Sequence, residues 1–446
     1  MASGTTIEPV AGGGRFPVTI DAKRKTLVIA LVVIAAVAVR LVFFGYRSGD
    51  YAGFVSRWYD YISSHGGFAA LKDNFANYNE PYLYLLAALT YTPIPPMAGI
   101  KLMSVVFDFL LGFFAYRIVD LRHPGRWWPI LAGAIVVFLP TVVLNSSMWA
   151  QADAMYAAFG VGALFFVLRR RPWLACLFFG LAFSFKLQIV FLFPLLLLLV
   201  LRRYVPWRAL LLIPVVYVLL DVPALLAGAN PGTVFSLYAT QTGTYDQLTL
   251  NAPNVYQYLD ITASTPLRIT GIAVTGVLLL ALIVPVVLRR SELTPARIVL
   301  AGTVSVLLVP YFLPAMHERY FYLADVLTVL AAFHLPRKLW ALPVLEQFAS
   351  VFSYFPFLLM AGGRGGFGGG RAPGNRGRFP GGGFPGGRGG PGGGAFSGGG
   401  GGSGTPVISF TVLATVMLAA LVLALWVAIR EFRTSEPVVL ADRQTS

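Results

Sequence analysis

Five short polar clusters carry the side chains in this chain that could do chemistry: Gly49-Asp50-Tyr51, Asn79-Glu80-Pro81, Trp149 to Asp153, Lys186-Leu187-Gln188 and His317-Glu318-Arg319. Each stands at the mouth of an apolar run, and the arginine and lysine clusters mark the opposite mouths. Carboxylates gathered with amides, a histidine and two cations suit two roles. A partly buried carboxylate can serve as a general base with a tuned proton affinity. Lys, Arg and His bind an anion through charge-assisted hydrogen bonds. Polar groups collected on one face of a bilayer point to a membrane enzyme.

Each cluster also has a plainer reading. Asp50 is either a general base or a helix cap whose carboxylate accepts orphan N–H groups. Glu80 precedes Pro81, which suits the first turn of a helix, so it is a cap or part of a sugar-binding surface with the nearby amides and aromatics. Trp149 and Asp153 have the i, i+4 spacing of one helix face, with Gln151 and Asp153 about a turn inside a span. An Asp in that position costs about 2.5–3.5 kcal/mol, so it serves function or holds helices together. Lys186 snorkels or holds a phosphate. His317-Glu318-Arg319 binds an anion or is an interfacial charge cluster. Lys101 and Asp108, seven residues apart on one helix face, are read as structural, as are Asp221 and Asp325. The chain has no Walker loop, no Cys/His metal spacing and no Ser-His-Asp pattern, so no metal or other cofactor is expected.

The elements that must position these residues are membrane helices. Of 446 residues, 57% are hydrophobic and only 12% charged, against roughly 25% charged in soluble domains. Mean hydropathy is +0.72. A span needs about 20 apolar residues, and helices satisfy their own backbone in lipid. Candidate spans are 27–45, 98–118, 128–145, 149–168, 172–186, 188–201, 206–228, 265–288, 297–314, 320–335, 340–360 and 406–429. The fold class expected is an all-α polytopic membrane protein with roughly twelve crossings. Cytoplasmic loops collect Lys and Arg, which places Lys23 to Lys25, Arg117 to Arg126, Arg169 to Arg171, Arg202-Arg203, Arg289-Arg290, Arg337-Lys338 and Arg430 with Arg433 inside. The five polar clusters then face outward.

The run 81–97 is apolar but short and ends in Pro93, Pro95 and Pro96, so it is read as re-entrant or lying on the outer surface. The first outer loop accordingly extends over 46–97, with Phe54, Trp58, Tyr59 and Tyr61 on an interfacial helix. Loops of that length are usually functional. Residues 1–26 form a cytoplasmic tail, 27–360 the main module, 361–405 a Gly/Arg/Pro-rich insert expected to be disordered, 406–429 a last span and 430–446 a second cytoplasmic tail. A net charge of +15 raises nucleic acid as a partner, but it lies in short loops, a membrane-proximal tail and the insert, which argues against one. The single Cys176 excludes an intrachain disulfide, and the first apolar run lacks a cleavage site.

Taken in order, the clusters resemble the GT-C glycosyltransferases, above all the dolichyl-phosphate-glucose glucosyltransferases of N-glycan assembly and GPI mannosyltransferase II-like proteins. Gly49-Asp50-Tyr51 with Trp58 matches their Gly-Asp-aromatic motif and downstream Trp. Tyr78-Asn79-Glu80-Pro81, Trp149 to Asp153, Phe185-Lys186-Leu187-Gln188 and His317-Glu318-Arg319 match the later motifs. The similarity runs from about Arg40 to Val326. Leu187 interrupts the Lys-Gln pair, Arg319 replaces Lys, Asn79-Glu80 stands where the glucosyltransferases carry Asp-Tyr-Pro, and the Gly-rich insert has no counterpart.

The resemblance implies a GT-C-like helix bundle and an inverting transfer of a hexose, mannose or glucose, from a polyprenyl-phosphate donor to an acceptor hydroxyl. Asp50 would be the catalytic base. Lys186, His317 and Arg319 would hold the donor phosphate. Tyr51, Trp58, Glu80, Trp149, Gln151, Asp153, Gln188 and Glu318 would contact substrate. Expected partners are the bilayer, the lipid-linked donor and a glycan or lipid acceptor, at a plasma membrane with an extracytoplasmic site. A membrane transporter or lipid flippase is the alternative, and transporters place ionisable groups near the midplane.

Overall fold

The computed structural model describes residues 21–243, 247–259, 263–361 and 407–433. The expectations for the N-terminal tail up to residue 20, nearly all of the Gly/Arg/Pro-rich insert and the last tail from residue 434 lie outside the described residues. The rest is helical. The first described helix is α1 (Ala22–Leu41), and the 46–97 segment holds α2 (Ser56–Ser64) and α3 (Glu80–Leu89). Then follow α4 (Pro96–Arg122), α5 (Trp128–Phe138), α6 (Pro140–Val143), α7 (Asp153–Leu168), α8 (Pro172–Phe185), α9 (Phe193–Leu201) and α10 (Leu212–Ala227). The C-terminal half holds α11 (Pro231–Gly243), α12 (Thr265–Leu288), α13 (Pro295–Phe312), α14 (Tyr322–His334), α15 (Pro336–Leu339), α16 (Leu342–Ala361) and α17 (Phe410–Arg433). Two two-residue strands, β1 (Thr249–Leu250) and β2 (Met316–His317), pair in parallel.

Among the described residues, six helices are long and apolar enough to cross a membrane, and a seventh span forms if 128–138 and 140–149, bent by 50° at a break, count as one. This establishes an all-α membrane protein. Length alone does not reach the expected count of roughly twelve, since Asp153–Leu168, Pro172–Phe185, Leu187–Leu201 and Tyr322–His334 are apolar but shorter. Backbone breaks cause the shortening: Ala150 takes a left-handed conformation before α7, and Lys186 is extended after α8. α3, at 10 residues, rises about 15 Å, half the hydrocarbon thickness. α3 alone is therefore too short to cross.

α7 is the hub. Its side chains are buried on all faces, and it packs on α4, α8 and α14. A helix apolar all round belongs inside a bundle. α4 and α5 approach so closely that a Cβ added to Gly133 would stand 3.1 Å from the carbonyl oxygen of Gly112, the small-residue contact that lets membrane helices pack without a hydrophobic drive between them. α1 is fastened to the same core by charge. Arg40 Nε donates to Asp108 Oδ2 at 3.0 Å and Arg40 Nη2 to the Val137 carbonyl at 2.8 Å, which the α5 break leaves unpaired within its helix. Ser146 Oγ donates to the same Asp108 oxygen at 2.6 Å. Lys101 Nζ collects the carbonyls of Phe43, Phe44 and Tyr46 at 2.9, 3.1 and 2.6 Å, ending α1 and aiming the chain toward Asp50.

The helix ends sort by charge. Arg202 bonds the carbonyls of Val286 and Ser291, Arg170 lies over Tyr204, Lys338 pairs with Glu431, and Ser291 Oγ bonds the Phe432 carbonyl. The basic ends of α7, α9, α12, α15 and α17 are thus the end of the bundle away from the start of α7. Single cations at Arg47, Arg57, Lys72 and Arg268 remain toward the other end.

Candidate active site

Asp50 does not cap a helix. Ser48 takes that role instead, since its Oγ accepts from the Tyr51 amide at 3.1 Å and donates to the Trp149 carbonyl at 2.6 Å. The π-helical turn Tyr51–Val55 begins there, with no side-chain cap bond from Asp50. The carboxylate is left to face a cavity. Gln151 Nε2 donates to Asp50 Oδ2, and Arg319 Nη1 lies 4.0 Å from the same oxygen. The Asp50 side chain is 34% exposed, while its counterpart acids Asp153 and Glu318 are 1% exposed.

The Trp149 to Asp153 segment departs from the helix face expected of it. Leu144–Trp149 is a π-helical turn, Ala150 has φ 64°, the Gln151 amide returns to the Asn145 carbonyl at 2.9 Å, and α7 opens at Asp153. The break turns Gln151 toward Asp50 and leaves Asp153 at the hub's first turn. Trp149 is packed edge-on against Tyr354 at 5.1 Å and stacked with Phe357 at 6.1 Å. The Arg319 guanidinium stands over its ring at 5.5 Å. Trp149 is therefore the plate that fixes Arg319.

Lys186 caps the C-terminus of α8 in an extended conformation, and its Nζ meets Asp153 Oδ1 at 2.5 Å. Asn145 Nδ2 donates to Asp153 Oδ2 at 2.9 Å, and Arg319 Nε lies 3.9 Å from that oxygen. His317, Glu318 and Arg319 follow the turn at Pro314 and Ala315, held by β1 pairing with β2 and by the Ala315 amide bonding the Leu248 carbonyl at 2.8 Å. Glu318 Oε1 accepts from Arg319 Nη1 at 2.8 Å, and its Oε2 lies 3.6 Å from His317 Nδ1. Burial works to raise the Glu318 carboxyl, but the His317 hydrogen bond and the Arg319 charge outweigh it and hold it below the usual value. Burial works to lower Arg319, and Glu318, Asp50 and Asp153 together raise it well above its usual value. It stays charged throughout. Its Nε has no hydrogen-bond partner although buried, and an orphaned charged donor is costly unless an anion meets it.

These groups surround one cavity of about 250 Å³. Asp50, Trp58, Trp149, Gln151, Lys186, Gln188, His317, Glu318 and Arg319 line it. Asp153 lies under its floor, bound to two of the lining cations. Two expected residues are elsewhere. Tyr51 is buried on the far side of its turn with Arg47 over its ring at 5.9 Å. Glu80 is not in the lining; it faces Asp221 of α10, and burial followed by the Asp221 charge pushes its carboxyl up to about 7. Its neighbour Asn79 lines the cavity instead. Residues that carried no motif also take part. Phe54 and Tyr82 join the motif residues Trp58 and Tyr78 in an aromatic wall, with Trp58 to Tyr78 at 5.6 Å and Tyr78 to Tyr82 at 4.6 Å. Gln241 arrives from α11, bonding the Asn77 carbonyl at 2.9 Å. The Asn- and Tyr-rich run before Glu80 held the signal for the wall; nothing in 231–243 singled out Gln241.

The arrangement offers a partly exposed carboxylate beside fixed cations, with flat aromatic faces and amides nearby. It suits an uncharged polyhydroxylated group joined to an anion. The chain matches no family model and no curated protein.

Proposed function

We propose that the protein is an integral-membrane inverting glycosyltransferase, built as a bundle of roughly twelve membrane-crossing helices, that moves a hexose from a polyprenyl-phosphate donor to an acceptor hydroxyl. The observation that carries the reading is the 4.0 Å approach of Asp50 to Arg319 across one cavity, with the Arg319 Nε donor unsatisfied. A base and an anion holder of that kind are the two groups such a transfer needs. A lipid donor also accounts for a cavity at one end of apolar helices: the polyprenyl chain stays in the bilayer while phosphate and sugar enter among polar groups.

In this mechanism Asp50 takes the proton of the acceptor hydroxyl as its oxygen bonds to the anomeric carbon. The bond from that carbon to the phosphate oxygen breaks, and its electron pair leaves with the lipid phosphate. Gln151 holds Asp50 through its amide. Arg319 and Lys186, with His317 when protonated, face the charge that grows on the phosphate, the preorganised stabilisation that dominates most enzymatic rate enhancement. Once protonated, Asp50 no longer draws on Arg319, so the guanidinium becomes more available as the phosphate separates. Trp58 and Tyr78 present faces to the sugar, and Asn79, Gln188 and Gln241 offer amides to hydroxyls. By the positive-inside rule the cavity opens away from the cytoplasm, and we place the protein at the cell membrane.

The transporter reading has less behind it, since the ionisable cluster lies at one end of the bundle. The deciding experiment incubates purified protein with a panel of polyprenyl-phosphate hexoses and an acceptor mixture, and follows donor consumption by mass spectrometry. Consumption of one donor by wild type and none by Asp50→Asn supports the proposal. A panel left intact under conditions where the folded protein binds the donors overturns it.

A further inference from the structure

A second cavity, of about 270 Å³, lies at the basic end of the bundle and has no part in the chemistry above. Its floor comes from α9 and α13 and its walls from α12 and α17. α12 packs on α9 and α13 while α17 packs on α13 and α16, which leaves a slot between α12 and α17. The outer face of α12, with Val277, Leu280, Val284 and Leu288, is exposed and so faces lipid. Inside, Leu195, Leu282, Ile283 and Leu425 are apolar, and Ala301 and Ala428 are too small to fill the gap.

The rim differs in kind. Arg289 ends α12 and Arg433 ends α17, both exposed and both lining the cavity. Neither side chain makes a hydrogen bond or ion pair among the described residues, whereas the neighbouring Arg202 is tied to backbone carbonyls. An apolar slot open to the bilayer, with two guanidinium groups that no described residue engages where the headgroups lie, is complementary to one kind of molecule. We infer that this slot is a binding site for an anionic phospholipid of the leaflet opposite the candidate active site. One acyl chain lies between α12 and α17, and the phosphate meets Arg289 and Arg433, the planar donors that best match phosphate oxygens.

The inference stands apart from the glycosyltransferase reading and is tested without any turnover assay. The full chain is reconstituted in nanodiscs of equimolar phosphatidylglycerol and phosphatidylcholine, extracted into mild detergent, and the retained lipid is identified by native mass spectrometry. Wild type is expected to keep one phosphatidylglycerol in preference to phosphatidylcholine. Arg289→Gln and Arg433→Gln should each weaken retention about fivefold, the effect of one basic residue near a membrane surface. Both arginines are exposed, so these variants should fold. Ala428→Phe fills the slot without touching charge and should abolish retention of the lipid, with folding checked by size exclusion. Equal retention of the two lipids, or retention by Ala428→Phe equal to that of wild type, would overturn the inference.

Discussion

Lys186 and Asp153 meet at 2.5 Å from two helix ends brought face to face: Lys186 closes α8 and Asp153 opens α7. Both are buried. The pair anchors the cavity floor, and through Asp153 it reaches Arg319 as well.

Removing one partner should therefore cost far more than removing both. Lys186→Met leaves a buried carboxylate without its nearest cation, and breaking such a pair costs about 3–5 kcal/mol. Lys186→Met with Asp153→Asn removes the charge as well as its partner. Thermal unfolding in one detergent should place the double variant closer to wild type than Lys186→Met alone. A double variant as unstable as the sum of the two single ones would show that the pair is not coupled.

The helical, membrane-spanning character was legible in composition, and nine of the twelve expected site residues line one cavity, eight from the five clusters and Trp58 from between two of them. What was not legible is where helices break. Trp149 and Asp153 have the right spacing for one helix face, yet the π-turn and the left-handed Ala150 come between them. Periodicity reports only which face an unbroken helix would present. Glu80 falls outside the cavity for a related reason: at the first turn of α3 it points to Asp221 on the distant α10, a contact that no local pattern encodes. The capping alternative for Asp50 fails because Ser48, two residues earlier, holds the Tyr51 amide.

Arg319 is held by Glu318 and stacked on Trp149, a geometry that lysine does not reproduce. Arg319→Lys keeps the charge and loses the planar fork. The expected result is a fall in kcat/KM for the lipid-phosphate donor of about 10²-fold or more, the scale of one lost transition-state donor. Trp149→Ala should lower it in the same direction by freeing the guanidinium. Steady-state kinetics with varied donor checks both, and an Arg319→Lys enzyme with wild-type kcat/KM would remove Arg319 from phosphate binding.

Glu80 gives a pH dependence with a definite sign. Its carboxyl is raised by burial and the Asp221 charge to about 7. A raised acid favours the folded state while protonated, so its contribution is complete below the unfolded value and is lost as pH climbs to about 7. Wild type should lose stability between about pH 5 and 8, and Glu80→Gln should lose less, by at most about 3 kcal/mol at the alkaline end. Unfolding midpoints of the two proteins across that range give the difference. Parallel curves would mean that Glu80 does not titrate there.

Asp50→Asn separates the role of the carboxylate from that of the cavity. The amide keeps the shape of the side chain and can still bond Gln151, so folding and donor binding should persist. The general base is lost, and that alone lowers turnover by about 10²–10⁴-fold. Arg319 also loses one of its counter-charges, at 4.0 Å, which should make it a better anion holder in the resting protein. Donor affinity, measured by titration with a non-reactive polyprenyl phosphate, is therefore expected to be equal to or tighter than that of wild type while kcat collapses. That opposite movement distinguishes a base from a ligand. Were Asp50 there to orient the sugar, binding and turnover would weaken together.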